Sequence, residues 1–329
     1  MDKQTALQWP PSPVNQALES WWQCLPTPRP QRVAVALSGG ADSTALLLAL
    51  WQLAARESHL QPVALHVHHG LQEAADAFSV FCQQWCAELG VPYRVQHVQI
   101  ALQVGDSVEA RAREARYCAL AEMAQDCDVV LLAQHADDQV ESVLLALSRG
   151  AGVAGLAGMA TRFQRHQVEF ARPLLGVRAE QVRDWLRQHK VAWMEDPSNT
   201  DFRYTRNRIR HGVLPALQQA LPSFTTGLAR SARLAAQADT LLQELADIDL
   251  QTVGVPPNIA ALQRLSPERQ TNALRHWLKK YHQVIGSEAQ MQTLQRVVQA
   301  CTTRGHKIHL RVGQGFVHRT QNHLDWYYN

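Results

Sequence analysis

The sequence predicts an α/β fold with a doubly wound parallel sheet, followed by a mainly helical C-terminal region with a small β-ribbon. The first observation is that short apolar runs alternate with helical patterns from residue 32 to about residue 150. The second is that polar loops follow three of these runs, as at the carboxyl ends of parallel strands. The third is a change after Pro215, where long alanine- and leucine-rich helical patterns begin. We therefore expect two domains, residues 1–216 and residues 217–329.

The alternation in the first domain is accounted for by strands that are each followed by a helix. Strands are predicted over 32–37, 62–68, 92–98 and 128–133, and helices over 42–56, 73–89, 107–125 and 137–148. A short strand near 168–172 and a helix over 178–190 follow a glycine-rich stretch. Right-handed crossovers between parallel strands then place helices on both faces of the sheet.

The second domain shows longer helical patterns and then short alternating segments. Helices are predicted over 213–250, with a break at Pro222, and over 259–281 and 287–301. The segments 306–312, 315–319 and 324–328 alternate apolar and polar residues around glycines, which favours a β-ribbon.

The turn Ser38-Gly-Gly-Ala-Asp-Ser43 stands between the first strand and the first helix. Glycines let the backbone approach a ligand closely, and the amides at a helix N-terminus attract anions. The turn has no lysine and lacks the spacing of a Walker A or dinucleotide-binding loop. Its hydroxyls and the Asp42 carboxylate favour pyrophosphate held with Mg²⁺, although a turn capped by Ser38 or Asp42 is the alternative.

Polar residues also follow the second and fourth strands. His66 lies in a histidine-rich segment that runs to Gly70, and His135 begins a segment that contains Asp137, Asp138 and Glu141. Paired carboxylates beside a phosphate-binding turn are what a Mg²⁺–nucleotide site needs. Favourable charge at a helix N-terminus is the alternative explanation for the two aspartates.

Two basic segments suggest a polyanion as a partner. Arg113, Arg116 and Tyr117 lie at helical spacing, and spacing alone slightly favours a solvated helix with Glu–Arg pairs. Residues 203–210 contain four arginines, interleaved with Tyr204 and Asn207, and no acid, so we expect that this segment cannot neutralise itself. That pattern favours contact with nucleic acid, and a plain exposed basic helix is the alternative.

Composition limits the class of protein. The formal net charge is +3, so the chain as a whole is only mildly basic. The six cysteines form no C-x-x-C pair or zinc spacing, and we expect buried thiols in a reducing cytoplasm. The N-terminus does not resemble a signal peptide, and no apolar run is long enough to span a membrane.

The motifs together resemble a known family. The turn is similar to the SGGxDS loop of the N-type ATP pyrophosphatases, also described as adenine nucleotide alpha hydrolase-like, which activate an oxygen by adenylation. Over residues 30–215 the order of motifs resembles tRNA(Ile)-lysidine synthetases. These motifs are Ser38–Ser43, His135–Glu141, Arg149–Met159, Arg172–Leu175, Glu195–Asn199 and Arg206–His211. Two departures from that family are Gln134 before His135, where a second histidine is usual, and Ser142 in place of threonine.

The resemblance implies a carbon–nitrogen ligase reaction. The C2 oxygen of the wobble cytidine in a CAU-anticodon tRNA(Ile) attacks the α-phosphorus of ATP, and the ε-amine of free L-lysine then displaces AMP to give lysidine. The implied partners are ATP with Mg²⁺, this tRNA and lysine, and a homodimer remains open.

The resemblance also implies roles for single residues. ATP-binding residues are expected at Ser38, Gly39, Gly40, Ala41, Asp42, Ser43 and His66. Catalytic roles are expected for Asp42, His135, Asp138 and Arg113, with Asp42 and Asp138 as metal ligands. Contacts with tRNA are expected for Arg111, Arg203, Arg206, Arg208 and Arg210. Asp137 and Glu141 are the candidates for binding the lysine substrate.

Three other functions fit the same core. A tRNA thiolase is the nearest alternative, although such enzymes typically use paired cysteines or an iron–sulfur cluster. A glutamine-dependent synthetase is disfavoured because residue 2 is Asp rather than Cys. A non-catalytic nucleotide-binding regulator is disfavoured by the carboxylate pair and by the arginines of residues 203–210.

Overall fold

The computed structural model describes residues 6–7, 9–68, 74–98, 108–196, 201–303 and 305–328, except for the side chains of residues 74–75 and 108–110. The chain divides into two compact units, Met1–Leu234 and Ala235–Asn329. The predicted histidine-rich segment at 69–70 and part of the Glu195–Asn199 motif lie outside the described residues.

The first unit is built on a six-stranded sheet. Its strands are β1 (Arg32–Ala36), β2 (Gln61–His68), β3 (Tyr93–His97), β4 (Val129–Leu131), β5 (Arg162–Arg165) and β6 (Val168–Ala171). The spatial order is β3-β2-β1-β4-β6-β5, and only the edge strand β5 runs antiparallel to its neighbour. Strand order reverses beside β1, which pairs with both β2 and β4. The carboxyl ends of β1 and β4 therefore border a crevice where ligands bind in such sheets.

Helices cover both faces of this sheet. They are α1 (Pro13–Gln23), α2 (Ala41–Ala54), α3 (Ala74–Leu89), α4 (Val108–Met123), α5 (Ala136–Leu147), α6 (Val153–Leu156), α7 (Ala179–Gln188), α8 (Thr205–Arg208) and α9 (Leu214–Ala220), with a π-helix at Ile209–Val213. Val33 and Val35 of β1 pack in the core with α1, α2, α3 and α7, whereas Ala34 packs in the core with α4. This alternation along a strand that is buried on both faces confirms the doubly wound sheet.

The second unit combines helices with a small antiparallel sheet. Its elements are the end of α10 (Phe224–Val253), then α11 (Ile259–Leu262), α12 (Pro267–His282), α13 (Glu288–Ala300), β7 (His309–Val312), β8 (Gly315–Thr320) and β9 (His323–Tyr328). Trp277 and Leu294 of the helices pack with Val317 and Trp326 of the sheet. The β-ribbon prediction is confirmed as three strands.

One helix prediction in this unit is wrong. The single helix expected over 259–281 is two helices, because Ser266 caps a new helix and Pro267 occupies its first turn. The Ser266 hydroxyl accepts a hydrogen bond from the Arg269 amide at 3.4 Å. Serine at the N-cap followed by proline at the first helical position is a strong start signal, which the apolar periodicity concealed.

The cysteines are all free thiols, but not all of them are buried. Cys82, Cys86 and Cys301 are buried as expected, and burial raises the pKa of Cys82 and of Cys86 to about 12. The prediction is wrong for Cys24 and Cys118, which are exposed. Within the described ranges, no helix is both long and apolar enough to cross a membrane.

Candidate active site

The turn between β1 and α2 is fixed by its own hydroxyl groups. The Ser43 hydroxyl accepts a hydrogen bond from the Ser38 amide at 3.1 Å and donates one to the Gly40 carbonyl at 3.1 Å. Gly39 has a φ of +86°, and a Cβ there would lie 3.2 Å from Cys82 Sγ and from Phe78 Cδ1. Only glycine fits this position, because the backbone is left-handed and α3 packs directly against it.

The start of α2 offers free hydrogen-bond donors. No side chain caps this helix at Gly40, so the amides of Ala41, Asp42 and Ser43 have no acceptor within the helix. Together with the positive end of the helix dipole, these amides suit a pyrophosphate group.

His135 and Asp138 form the N-terminal cap of α5 beside this turn. The His135 amide donates to Asp138 Oδ2 at 3.0 Å, and the Asp138 amide donates to His135 Nδ1 at 3.4 Å. Because Nδ1 accepts a hydrogen bond, we assign the ring proton to Nε2. That atom lies 3.4 Å from Asp138 Oδ2 and 3.6 Å from Asp42 Oδ2. The alternative capping role is therefore present, and it also brings the ring to both carboxylates.

Asp42 is a partly buried carboxylate with one buried oxygen that no described residue uses. Its Oδ1 atom is buried and accepts no hydrogen bond from any described residue. Burial raises the pKa of Asp42, and the neighbouring His135 opposes that rise. An oxygen left without a partner is costly unless a ligand occupies it.

The carboxylates fit Mg²⁺ bound together with a nucleotide. Mg²⁺ is usually held by one or two carboxylates and by substrate phosphates rather than by a full protein cage. The described residues contain no group of three or more metal-ligating side chains that could hold an ion. The two predicted metal ligands, Asp42 and Asp138, lie on either side of His135 Nε2, at 3.6 and 3.4 Å.

Arg210 connects the Arg206–His211 motif to Glu141. The Glu141 side chain is 0% exposed, and its Oε1 accepts a hydrogen bond from Arg210 Nε at 2.7 Å. Arg210 Nη2 also donates to Asp138 Oδ1 at 3.0 Å, and Arg206 Nη1 lies 3.7 Å from Glu141 Oε2. Burial raises the pKa of Glu141, and Arg210 opposes that rise. The two arginines therefore belong to the site and not only to its surface.

These contacts show what balances the basic segment. We expected that residues 203–210 could not neutralise themselves, and three of their arginines meet carboxylates that lie outside the segment. Arg206 and Arg210 meet Glu141, and Arg203 pairs with Asp201 through Nη2 to Oδ2 at 2.7 Å. The π-helix at Ile209–Val213 contains Arg210, and such an insertion is difficult to predict from sequence.

The other predicted site residues lie around this centre, and each is described by the contact or exposure of its side chain. His66 is buried, and its Nδ1 donates to the Leu37 carbonyl at 2.8 Å, next to the turn. Asp137 Oδ2 accepts from the Ala179 amide at 2.8 Å, at the start of α7. Arg111 is exposed on α4, and Arg208 Nη2 donates to Thr205 Oγ1 at 2.8 Å.

Sequence reasoning missed the contacts that Arg172 makes beside the site. Arg172 Nε donates to Gln134 Oε1 at 3.0 Å, and its Nη2 donates to the Tyr117 hydroxyl at 3.2 Å. The motif beginning at Arg172 was noticed only through the family resemblance. A buried arginine between two polar side chains gives no periodic signal in a sequence.

Comparisons with known proteins match two parts of the chain to described domains. A family model described as the PP-loop domain matches residues 13–217, and a model described as the TilS substrate binding domain matches residues 258–324. A tRNA(Ile)-lysidine synthase from Polaromonas naphthalenivorans is 50% identical over 94% of this chain and 93% of its own length. The chain belongs to the tRNA(Ile)-lysidine synthase family.

Other members of the tRNA(Ile)-lysidine synthase family are longer. The relative from Pseudomonas fluorescens is 46% identical over 74% of this chain, and the matched region spans 57% of its length. The relative from Pseudomonas aeruginosa is 45% identical, and the matched region spans 58% of its length.

A solved structure supports the fold alone. The U34-tRNA thiolase NcsA from Methanococcus maripaludis superposes with a TM-score of 0.56 at 16% identity, over 71% of this chain and 81% of that one.

Proposed function

We propose that this protein joins free L-lysine to C2 of the wobble cytidine, position 34, of a CAU-anticodon tRNA(Ile). The observation that carries the proposal is the junction of the Ser38–Ser43 turn with Asp42, His135 and Asp138 at the crevice of the sheet. A phosphate cradle beside two carboxylates suits adenylation, and membership of the lysidine synthase family supplies the substrates.

The reaction has two balanced steps. The C2 oxygen of cytidine bonds to the α-phosphorus of ATP, and the bond to the β-phosphate breaks, so pyrophosphate leaves. The ε-amine of lysine then bonds to C2 while the C2–oxygen bond breaks, which releases AMP, and the amine loses a proton.

The chain's own residues position the first step. Ser38, Ser43 and the amides at the start of α2 would hold the leaving pyrophosphate, while His66 supports the turn through the Leu37 carbonyl. Asp42 and Asp138 would hold Mg²⁺, which neutralises charge on the phosphates when bound. His135 Nε2 orients both carboxylates. Catalysis of this kind consists mainly of positioning and charge neutralisation.

The remaining roles concern the two acceptors. Arg111, Arg203 and Arg208 would contact tRNA phosphates, whereas Arg206 and Arg210 would act from inside the site. Asp137 and Glu141 are the candidates for the lysine ammonium group, and we favour Asp137 because two arginines share Glu141. Arg113 would contact either the tRNA or the phosphate charge that develops in the first step.

The same assignments give each of the two domains a role. Residues 1–216 would form the catalytic domain and residues 217–329 a tRNA-binding domain, in the cytoplasm, where tRNA, ATP and lysine are present. The match of residues 258–324 to the TilS substrate binding domain supports the second role.

Trapping the intermediate tests this proposal against a thiolase. Incubation with tRNA(Ile) and ATP labelled at the α-phosphate, without lysine, should leave labelled adenylate on the tRNA. Addition of lysine should release the label as AMP. Label that never joins the tRNA, or that lysine does not release, would contradict the proposed order of steps.

A further inference from the structure

Four arginines surround one buried tyrosine beside the active site. The Tyr117 side chain is 1% exposed, and the guanidinium carbons of Arg113, Arg116 and Arg165 lie 5.8, 5.7 and 4.5 Å from its ring centroid. Arg172 Nη2 donates to its hydroxyl at 3.2 Å. We call these four residues with Tyr117 the arginine cluster.

Two members of the arginine cluster already have their partners. Arg165 forms an ion pair with Glu114. Arg172 donates to Gln134 Oε1 at 3.0 Å, to the Ala160 carbonyl at 2.7 Å and to Tyr117. The charge of Arg165 is therefore balanced by a carboxylate, and three polar groups hold the guanidinium of Arg172 in place.

The other two members lack a counter-ion among the described side chains. Arg113 is exposed and Arg116 is half-buried, and both lie against the Tyr117 ring, while Arg116 also hydrogen-bonds to the Tyr117 side chain. Burial lowers the pKa of Arg116, and the guanidinium groups of Arg113 and Arg206 act in the same direction. Burial alone would raise the pKa of Tyr117, yet Arg172, Arg116 and Arg113 hold it below its ordinary value. Cations gathered in this way are stabilised by an anion from outside the chain.

Position decides which anion would fit. Arg206, which acts on Arg116, lies 3.7 Å from Glu141, and Arg210 connects Glu141 to Asp138. The arginine cluster thus lies next to the ion pairs that Arg206 and Arg210 form with Glu141. Since the Ser38–Ser43 turn accounts for the pyrophosphate of ATP, the second anion site falls to the other phosphate-bearing substrate.

We infer that Arg113 and Arg116, held against Tyr117, bind a backbone phosphate of the RNA next to the nucleotide that is modified. The inference rests on the proposed function for the identity of the RNA. A base that leaves its stack to enter a pocket turns its backbone, and a clamp on the flanking phosphate would hold that conformation. Planar guanidinium groups suit such a phosphate because they can donate two parallel hydrogen bonds.

Binding measurements on Arg116→Gln test the inference. We expect about tenfold weaker binding of tRNA(Ile) and a salt slope of log Kd lower by about one, because one phosphate contact is lost. Binding of ATP should be unchanged, and Arg116→Lys should recover the salt slope. Arg187→Gln, which removes an exposed arginine of α7, is the matched control, and it should change the binding of neither tRNA nor ATP.

Single neutral linkages locate the phosphate. Two transcripts are compared, each with one methylphosphonate linkage on one side of position 34, and one of them should bind wild-type protein more weakly. Arg116→Gln should not weaken the binding of that transcript further. Additive losses at both linkages, or weaker ATP binding with unchanged tRNA binding, would overturn the inference. If Arg116→Gln lowers the melting temperature, the exposed Arg113→Gln carries the measurements of tRNA binding, salt slope and methylphosphonate coupling.

The two proposals can fail separately. If wild-type protein binds the tRNA with this coupling but makes no lysidine, the phosphate site stands and the proposed function falls. If lysidine forms but Arg116→Gln and the methylphosphonate linkage show no coupling, the proposed function stands and the phosphate site falls.

Discussion

At the scale of single residues, Asp42 and Glu141 are two carboxylates of the candidate site, 28% and 0% exposed, and they differ in which charged groups lie beside them. Glu141 is paired with Arg210 and Arg206 within the protein. Asp42 Oδ1 and Glu141 Oε2 are both buried without a described hydrogen-bond partner, but only the Glu141 oxygen has a recorded arginine ion pair, with Arg206 Nη1 at 3.7 Å. A compensated carboxylate stabilises its surroundings, whereas an uncompensated one is available to a metal-bound substrate.

The first prediction concerns Asp42→Asn, which keeps the shape of the side chain and removes its charge. Pyrophosphate release in the presence of tRNA and ATP should fall by at least about 100-fold, because a proposed metal ligand is lost. Binding of tRNA should stay within twofold of wild type. Asp184→Asn, on the exposed side of α7, is the control. Pyrophosphate release at the wild-type rate would remove Asp42 from the site.

A second prediction concerns Arg210→Gln, which leaves Glu141 buried beside a neutral side chain. The free energy of unfolding should fall by about 2 kcal/mol, less than for a wholly buried pair because Arg210 is 29% exposed. Urea denaturation measures this loss. The double variant Arg210→Gln with Glu141→Gln should regain most of it. If the double variant loses the sum of the two single losses, the pair is not coupled.

At the scale of elements, two helix starts and one turn build the site. The turn before α2 is locked by Ser38 and Ser43, and the start of α5 is capped by His135 and Asp138. Both elements begin at the carboxyl ends of adjacent parallel strands, β1 and β4. The sheet therefore determines the separation of the phosphate cradle and the carboxylates.

Adjacent glycines of the turn give the third prediction. Gly39→Ala should destabilise the protein by about 1–2 kcal/mol, because an L-residue with a φ of +86° is strained. It should also weaken ATP binding, which calorimetry can measure. Gly40→Ala is the control for stability, since its Cβ would meet only Ser38 Oγ at 3.5 Å. Equal unfolding free energies for the two variants would show that the left-handed turn is not required.

A fourth prediction concerns pH and the ion pairs that join β1 and β3. Asp126 Oδ2 accepts from Arg94 Nη2 at 2.8 Å and from Arg32 Nη1 at 2.6 Å, and the Arg94 hydrogen bond holds the pKa of Asp126 well below its ordinary value. A carboxylate whose pKa is lower in the folded protein than in the unfolded chain stabilises the fold at pH values above the unfolded pKa. That stabilisation is lost as the pH falls through the folded pKa.

Asp126→Asn should therefore cost about 1 kcal/mol at pH 7, a small value because the pair is partly exposed. The difference from wild type should shrink as the pH falls below about 4. Chemical denaturation over a pH series measures it. A difference that stays constant down to pH 2 would show that the charge of Asp126 is not responsible.

At the scale of the whole molecule, the sequence predicted the core better than the ion pairs. The predicted strand over 32–37 and helix over 42–56 agree closely with Arg32–Ala36 and Ala41–Ala54, because apolar periodicity and the glycine turn are local signals. The split at Ser266 was missed although its signal was also local.

The contacts of Arg210 and Arg172 could not be predicted in the same way. Their partners lie 69 and 55 residues away along the chain, at Glu141 and Tyr117. No local pattern encodes such a pairing, since it depends on a π-helix in one case and on packing between α4 and β6 in the other. The motifs named residues of the site, and only the fold showed which of them touch.

One measurement tests the central claim most directly. The purified protein is incubated with CAU-anticodon tRNA(Ile), ATP and lysine, and the tRNA is digested and analysed by mass spectrometry at position 34. The account predicts that cytidine is replaced by lysidine, only when both ATP and lysine are present. An unmodified cytidine while ATP is consumed, or a sulfur-containing nucleoside, would contradict it.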